Sequence, residues 1–231
     1  MIIQDKEFGK ITIRRSARAT QVRVRVAPDG TLRASLPLYA PVFLVKRLLK
    51  TSRDELRRIL AQAPVGHGGY NDGMRIGKSH SLIIRPSESS EIKISRHGQH
   101  IVLDLPEHKD MDHPDVVRIV RDAVISALRL EARSYLPKRL SFLSSKLDLT
   151  YERVRFSHAG GRWGSCSSKG TISLNIALMK LPFELIDYVI VHELSHTRHM
   201  NHSAEFWKLV ASADPDYRSH RRALKAENPS I

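Results

Sequence analysis

"VIVHELSHTRHMNHSAEFW", residues 189–207, sets four histidines and two glutamates into a segment whose other residues read as buried helix. Leu185, Val189, His192 and His196 follow one another at offsets of four, three and four residues, which places them on a single helical stripe. His192 and His196 therefore project to the same side, one turn apart, close enough for both imidazoles to reach one ion. Glu193 lies about 100° round the helix from His192, so its carboxylate can approach an ion-bound water without being a ligand itself. Pro182 suits the first helical position, and Glu184 and Asp187 put negative charge near the helix start.

The spacing His-Glu-x-x-His matches zinc chemistry. Two neutral imidazoles hold Zn²⁺, and the intervening glutamate takes a proton from the water that the ion acidifies. Two histidines leave such a site incomplete, and His202, six residues after His196, supplies a third. The metzincin proteases use that spacing with a glycine where this chain has His199. Here Met200 and Asn201 must make the turn, and asparagine tolerates left-handed backbone better than most residues. His199 would compete for the ion only if the helix continued through it, and Glu205 lies just beyond. The reading is therefore His192, His196 and His202 as ligands and Glu193 as general base, with Phe206 and Trp207 anchoring the segment that carries the third ligand.

Upstream of the histidine helix, "YERVRFSH" (151–158) and "GTISLNIAL" (170–178) read as strands separated by the glycine-rich "AGGRWGSCSSKG" (159–170). Before them, residues 112–147 keep a helical period, opened by acidic residues and Pro114 and expected to kink or divide at Pro137. The first hundred residues have a different character. Val22, Val24 and Val26 alternate with Arg23 and Arg25, and "APDG" turns the chain toward "TLRASLPL". A helical period covers 41–62, a glycine-rich loop 63–73, and "RIGKSHSLIIR", "EIKIS" and "HIVLDL" are strand candidates. No internal repeat is visible. The fold class is α+β, with a β-rich module containing one helix over residues 1–108 and a second domain over 109–231.

Composition narrows the classes of function. A chain of 231 residues that is 41% hydrophobic and 27% charged is a globular protein. It has no apolar run near the ~18–20 residues that span a bilayer. The amino terminus, "MIIQDKEFGKITIRRS", lacks the apolar core of a secretory signal, so a cytoplasmic location is expected and a membrane partner is not. The single Cys166 excludes an intramolecular disulfide and a cysteine-only metal cage. A net charge of +14 favours polyanions such as nucleic acid, nucleotide phosphates or anionic surfaces. Aromatic residues are only 6% and do not interleave with the basic ones, so no base-stacking platform is apparent.

"RWGSCSSKGTISLNIALMKLPFELIDYVIVHELSHTRHMNHSAEFW", residues 162–207, closely resembles the YgjP-like metallopeptidase domain family and looks like the wider small zincins, which include the WLM and SprT-like proteases. "IRRSARATQVRVRVAPDGTLRASLP" is similar to the amino-terminal β module of the same family. The resemblance implies a zincin-like catalytic domain over 109–231, with an active-site helix and with "GTISLNIAL" as the edge strand that pairs with an extended peptide. It also implies a zinc-dependent hydrolase, with Zn²⁺ on His192, His196 and His202, Glu193 as base, and a peptide or protein substrate. Arg162, His158 and Tyr188 are candidates for stabilising an anionic intermediate, whereas no partner arrangement makes Cys166 a nucleophile. Two other readings stand beside the metallopeptidase. One is a metal-dependent nucleoside triphosphate pyrophosphohydrolase; the other is a nucleic-acid-binding module with a structural zinc, which would have no use for Glu193.

Overall fold

The structure, a computed structural model, describes residues 1–17, 19–26, 32–62, 69–158 and 160–231. The chain divides into two compact units, one formed by Met1–Tyr70 with His108–Arg118 and the other by Asn71–Glu107 with Ile119–Ile231. Residues 71–107, grouped with the amino-terminal module in the sequence reading, thus make their contacts within the second unit. Among the described residues, no helix is long and apolar enough to cross a membrane.

The first unit holds strands β1 (Ile2–Asp5), β2 (Gly9–Ser16), β3 (Arg23–Val26) and β4 (Leu32–Pro37) in the order β1-β2-β4-β3. β2 and β4 run parallel, and the outer pairs are antiparallel. The antiparallel pairing of β3 with β4 agrees with the predicted hairpin, although its "APDG" turn, like most of the 63–73 loop, lies outside the described residues. Alternation sends Ile11, Ile13, Leu32, Ala34 and Leu36 to one face, where they pack with Val45, Leu49 and Leu56. The helical period over 41–62 is realised as two helices, α1 (Phe43–Thr51) and α2 (Arg53–Gln62). They break at Ser52, next to Thr51, whose hydroxyl bonds back to the carbonyls of Arg47 and Leu48. Such side-chain bonds compete with the helical ladder.

The second unit begins with β5 (Arg75–Ile76), β6 (His80–Ser87), β7 (Lys93–His97) and β8 (His100–Pro106), in the order β5-β6-β8-β7. Strand order and pairing senses repeat those of the first sheet. This is a topological repeat that the sequence hides, because strand alternation constrains polarity and not identity. Next comes α3 (Pro114–Leu147), a single helix through Pro137 rather than a divided one. Proline costs one hydrogen bond there, but fully buried Leu136 and Leu140 hold the turns around it in the core. The third sheet contains β9 (Arg153–Ser157), β10 (Gly164–Cys166) and β11 (Thr171–Asn175) in the order β10-β11-β9. β11 is therefore the central strand, and β10 is an edge. The predicted edge role of "GTISLNIAL" passes to "GSC", because Gly164–Cys166 pairs antiparallel with β11 on its outer side. Residues Ile176–Lys180 form a 3₁₀ turn, followed by α4 (Phe183–Ser195), α5 (Ala204–Ala213) and α6 (Tyr217–Ala226).

A buried carboxylate ties the second sheet to α3. Glu131 accepts from the backbone N–H groups of Lys78, Ser79 and His80 at 2.6, 2.9 and 3.1 Å, from the Ser79 hydroxyl at 2.8 Å, and pairs with His80 Nδ1 at 2.6 Å. Gly77, at φ +62°, leaves room for that carboxylate, since a Cβ there would lie 2.2 Å from Glu131 Oε2. Lys78 reaches onward, donating to the Leu181 carbonyl and standing 4.3 Å from the Phe183 ring centroid at the start of α4.

Burial raises the pKa of Glu131, but the hydrogen bonds from His80, Lys78 and Ser79 outweigh it and hold the carboxyl below its usual 4.5. A depressed folded-state pKa contributes stability that is complete above the unfolded value and is lost as pH falls through the folded one. Glu131→Ala is expected to lower unfolding free energy by about 3–5 kcal/mol at neutral pH, because it strands buried donors. Denaturant titrations from pH 7 to below 4.5 should show wild-type stability falling below pH 4.5, with a shallower fall in Glu131→Gln.

Candidate metal centre

α4 is apolar nearly all round, with Leu185, Ile186, Val189, Ile190, Val191 and Leu194 buried, so it is fixed on several sides. Pro182 serves as its N-cap rather than its first helical residue, and the helix ends at Ser195 with His196 as C-cap. Because the helix stops there, the chain turns through residues 197–201 and re-enters α5 at an N-cap, Ser203, whose hydroxyl accepts from the Phe206 N–H at 3.3 Å. This reversal carries His202 back over α4.

One ring nitrogen from each of His192, His196 and His202 lies within 4.8 Å of the others. The Nε2 atoms of His192 and His202 are 3.2 Å apart. A tetrahedral ion with bonds of about 2.0–2.1 Å to nitrogen has edges of about 3.3–3.4 Å, so this pair already has the spacing that one ion requires. His196 Nδ1 faces the carbonyl of His199 at 3.0 Å, which fixes the tautomer and leaves Nε2 free to bind. His199 thus contributes its backbone to the site, and its imidazole is not in the cluster. Phe206, fully buried, stacks on His196 with centroids 4.6 Å apart and meets His192 and His202 edge-on at 5.0 and 4.8 Å. Trp207 stacks on His202 at 5.6 Å. The three imidazoles are therefore held by packing before any ion arrives.

The electrostatics suit a cation. Burial, reinforced by His196, His202 and Arg221, pulls the pKa of His192 down to about 4, so its imidazole is neutral, as a ligand must be. His192 Nδ1 is buried with no hydrogen-bond partner among the described residues. Glu193 is 6% exposed, and burial pushes its carboxyl up to about 7 against the opposing charge of Arg162.

The cleft over the histidines has a volume of about 470 Å³, and its walls include Arg162, Gly164, Cys166, Glu193 and Met200. A smaller cavity of about 150 Å³ behind it is lined by Trp163, Tyr188 and Leu224, among others. Of the three residues considered for stabilising negative charge, Arg162 lines the cleft and Tyr188 lines the rear cavity, while His158 Nδ1 lies 3.3 Å from Arg129 Nη2. Burial, then Glu193, pushes the Cys166 thiol up, which leaves it a poor nucleophile.

Two residues of the site escaped the sequence reading. Gly164 gives up its side-chain space to Glu193: a Cβ there would stand 2.6 Å from Oε1, 2.7 Å from Cγ and 2.9 Å from Cδ. Asn175, fully buried, donates from Nδ2 to the carbonyls of Arg162 and Pro229 at 3.1 and 3.2 Å and accepts from the Ala177 N–H at 3.0 Å. It fixes the loop that brings Arg162 to the cleft. A glycine within a short strand signals close approach, but its partner across the fold is not written nearby.

The model of the YgjP-like family, a metallopeptidase domain, matches residues 20–227. The chain belongs to this family. Membership makes this YgjP-like protein a metallopeptidase-type hydrolase and implies a metal, for which the histidine triad is a fitting donor set. Among solved structures, the metallopeptidase zymogen abylysin of Pyrococcus abyssi is similar at 25% identity, over 39% of this chain and 91% of that one, with a TM-score of 0.37. Among curated proteins, none matches the chain.

Proposed function

We infer that the YgjP-like chain is a zinc-dependent metallopeptidase in which His192, His196 and His202 hold the ion and Glu193 is the general base. The reading rests above all on the convergence of three imidazole nitrogens within 4.8 Å, at the end of the helix that also carries Glu193. Three nitrogen ligands leave the open position of a catalytic zinc site, whereas a structural site is closed by four. When bound, the ion would acidify water and polarise the scissile carbonyl.

The rest follows from this chain's own residues. Antiparallel pairs alternate between residues that bond across the ladder and residues that face away. Asn175 N–H donates to the Trp163 carbonyl at 2.8 Å and Ser167 N–H to the Thr171 carbonyl at 3.0 Å, so the backbone groups of Gly164 and Cys166 point to the open edge of β10. An extended peptide can pair there, beside the histidines. Glu193 takes the proton of the attacking water at its carboxylate and delivers it to the departing amide nitrogen. Arg162 supplies positive charge at the cleft for the developing oxyanion.

Incubation of purified protein with an unfolded protein substrate and, separately, with nucleoside triphosphates tests this reading. Cleavage of protein that stops with a chelator and returns with zinc is expected, with no pyrophosphate released. Pyrophosphate release without peptide cleavage would favour the pyrophosphohydrolase instead.

A further inference from the structure

The cavity of about 150 Å³ behind the cleft is walled by three parts of the second unit. Tyr188 and Val189, both buried, come from α4, Trp163 from the residue before β10, and Leu224 from α6. Gly164, His192 and Glu193 line this cavity and the cleft alike, so the two spaces adjoin at the base and at a metal ligand. The inward stripe of α6 is Tyr217, His220 and Leu224, each half-buried. Tyr217 stacks on Trp207 with centroids 5.5 Å apart, and His220 pairs with Asp214 at 2.8 Å. Leu224 borders the cavity, and so does half-buried Trp163.

Packed interiors leave few voids larger than a water molecule, so packing alone does not account for a space of this size beside the reacting groups. A cavity of about 150 Å³ holds a group the size of benzene. An isobutyl, thioether or phenyl side chain therefore fits, and an indole does not. Glu193 is the only acidic residue among its described walls, and no lysine or arginine lines it. An acidic side chain would meet Glu193, and a basic one would tie up the base. Successive side chains of an extended chain point to opposite faces. Glu193 packs against the sheet at Gly164, so a peptide paired with the edge of β10 sends one of the two side chains flanking the scissile bond toward α4 and the other away from it.

We propose that this cavity receives the side chain of one substrate residue beside the scissile bond and selects a compact apolar one, such as leucine, methionine or phenylalanine. The proposal rests on the peptidase reading above, and two measurements keep them apart. Ligand-observed NMR titration of the full chain with N-acetyl amides of leucine, phenylalanine, glycine, aspartate and tryptophan probes the cavity without turnover. The leucine and phenylalanine amides should bind about tenfold or more tightly than the glycine amide, and the aspartate and tryptophan amides no better than glycine. Leu224→Trp, which fills the cavity, should erase the leucine preference, and Leu224→Ala, which widens it, should admit the tryptophan amide. Leu130→Trp, at an exposed leucine of α3, should change neither. Thermal melts verify folding of each variant. Cleavage of a peptide library by the zinc-loaded protein should favour leucine over alanine on one side of the cut by on the order of 10²-fold. Equal binding of all the amides, a leucine preference intact in both Leu224 variants, or cleavage indifferent to both flanking residues would overturn the proposal. Discrimination among the amides with no peptide cleaved would uphold the pocket and overturn the peptidase reading.

Discussion

Glu193→Gln is expected to keep its zinc and lose hydrolysis by about 10²–10⁴-fold, the usual contribution of a general base. The amide is isosteric with the carboxylate and fits the same pocket against Gly164, and the three imidazoles have their own supports in Phe206, Trp207 and the His199 carbonyl. Metal content therefore separates a lost base from a lost site. Zinc analysis and turnover on one preparation give both readouts, and His192→Ala should lose both together. A Glu193→Gln protein that binds zinc and still cleaves at the wild-type rate would remove Glu193 from the mechanism.

Gly164→Ala should be almost as damaging, although it adds a single methyl group outside the histidine cluster. Gly164 has no positive φ, so alanine suits its backbone, and the cost is steric alone. With Glu193 Cγ 2.7 Å from the new carbon, the side chain must leave its position. The loss of turnover is expected to reach about 10²-fold, the effect of a misplaced catalytic group, with zinc retained. A double-mutant cycle distinguishes this from general damage to β10. Gly164→Ala should lower thermal stability in the wild-type background and be close to neutral when combined with Glu193→Ala, which empties the contested space. Equal destabilisation in both backgrounds would place the cost elsewhere.

The elements carrying the site were legible in the sequence because their signals are local. The period of α4, the one-turn spacing of His192 and His196, and the apolar Phe206 and Trp207 all lie within one segment. Long-range choices were less legible. Nothing within "AGGRWGSCSSKG" marks β10 as the edge strand, since that depends on Gly164–Cys166 pairing with the outer side of β11. Gly164 and Glu193 are far apart in sequence, as are Asn175 and Pro229, and each pair has meaning only after packing. Residues 71–107 looked like a continuation of the first module because both sheets alternate alike, whereas their partner, Glu131, sits in the middle of α3.

The ligand set is the centre of the account, and zinc K-edge X-ray absorption of the purified protein tests it most directly. Three imidazole nitrogens and one oxygen at about 2.0–2.1 Å are predicted, with the imidazole count falling in His202→Ala. Sulfur scattering at about 2.3 Å, which would bring Cys166 into the coordination sphere, or a spectrum unchanged by His202→Ala, would contradict it.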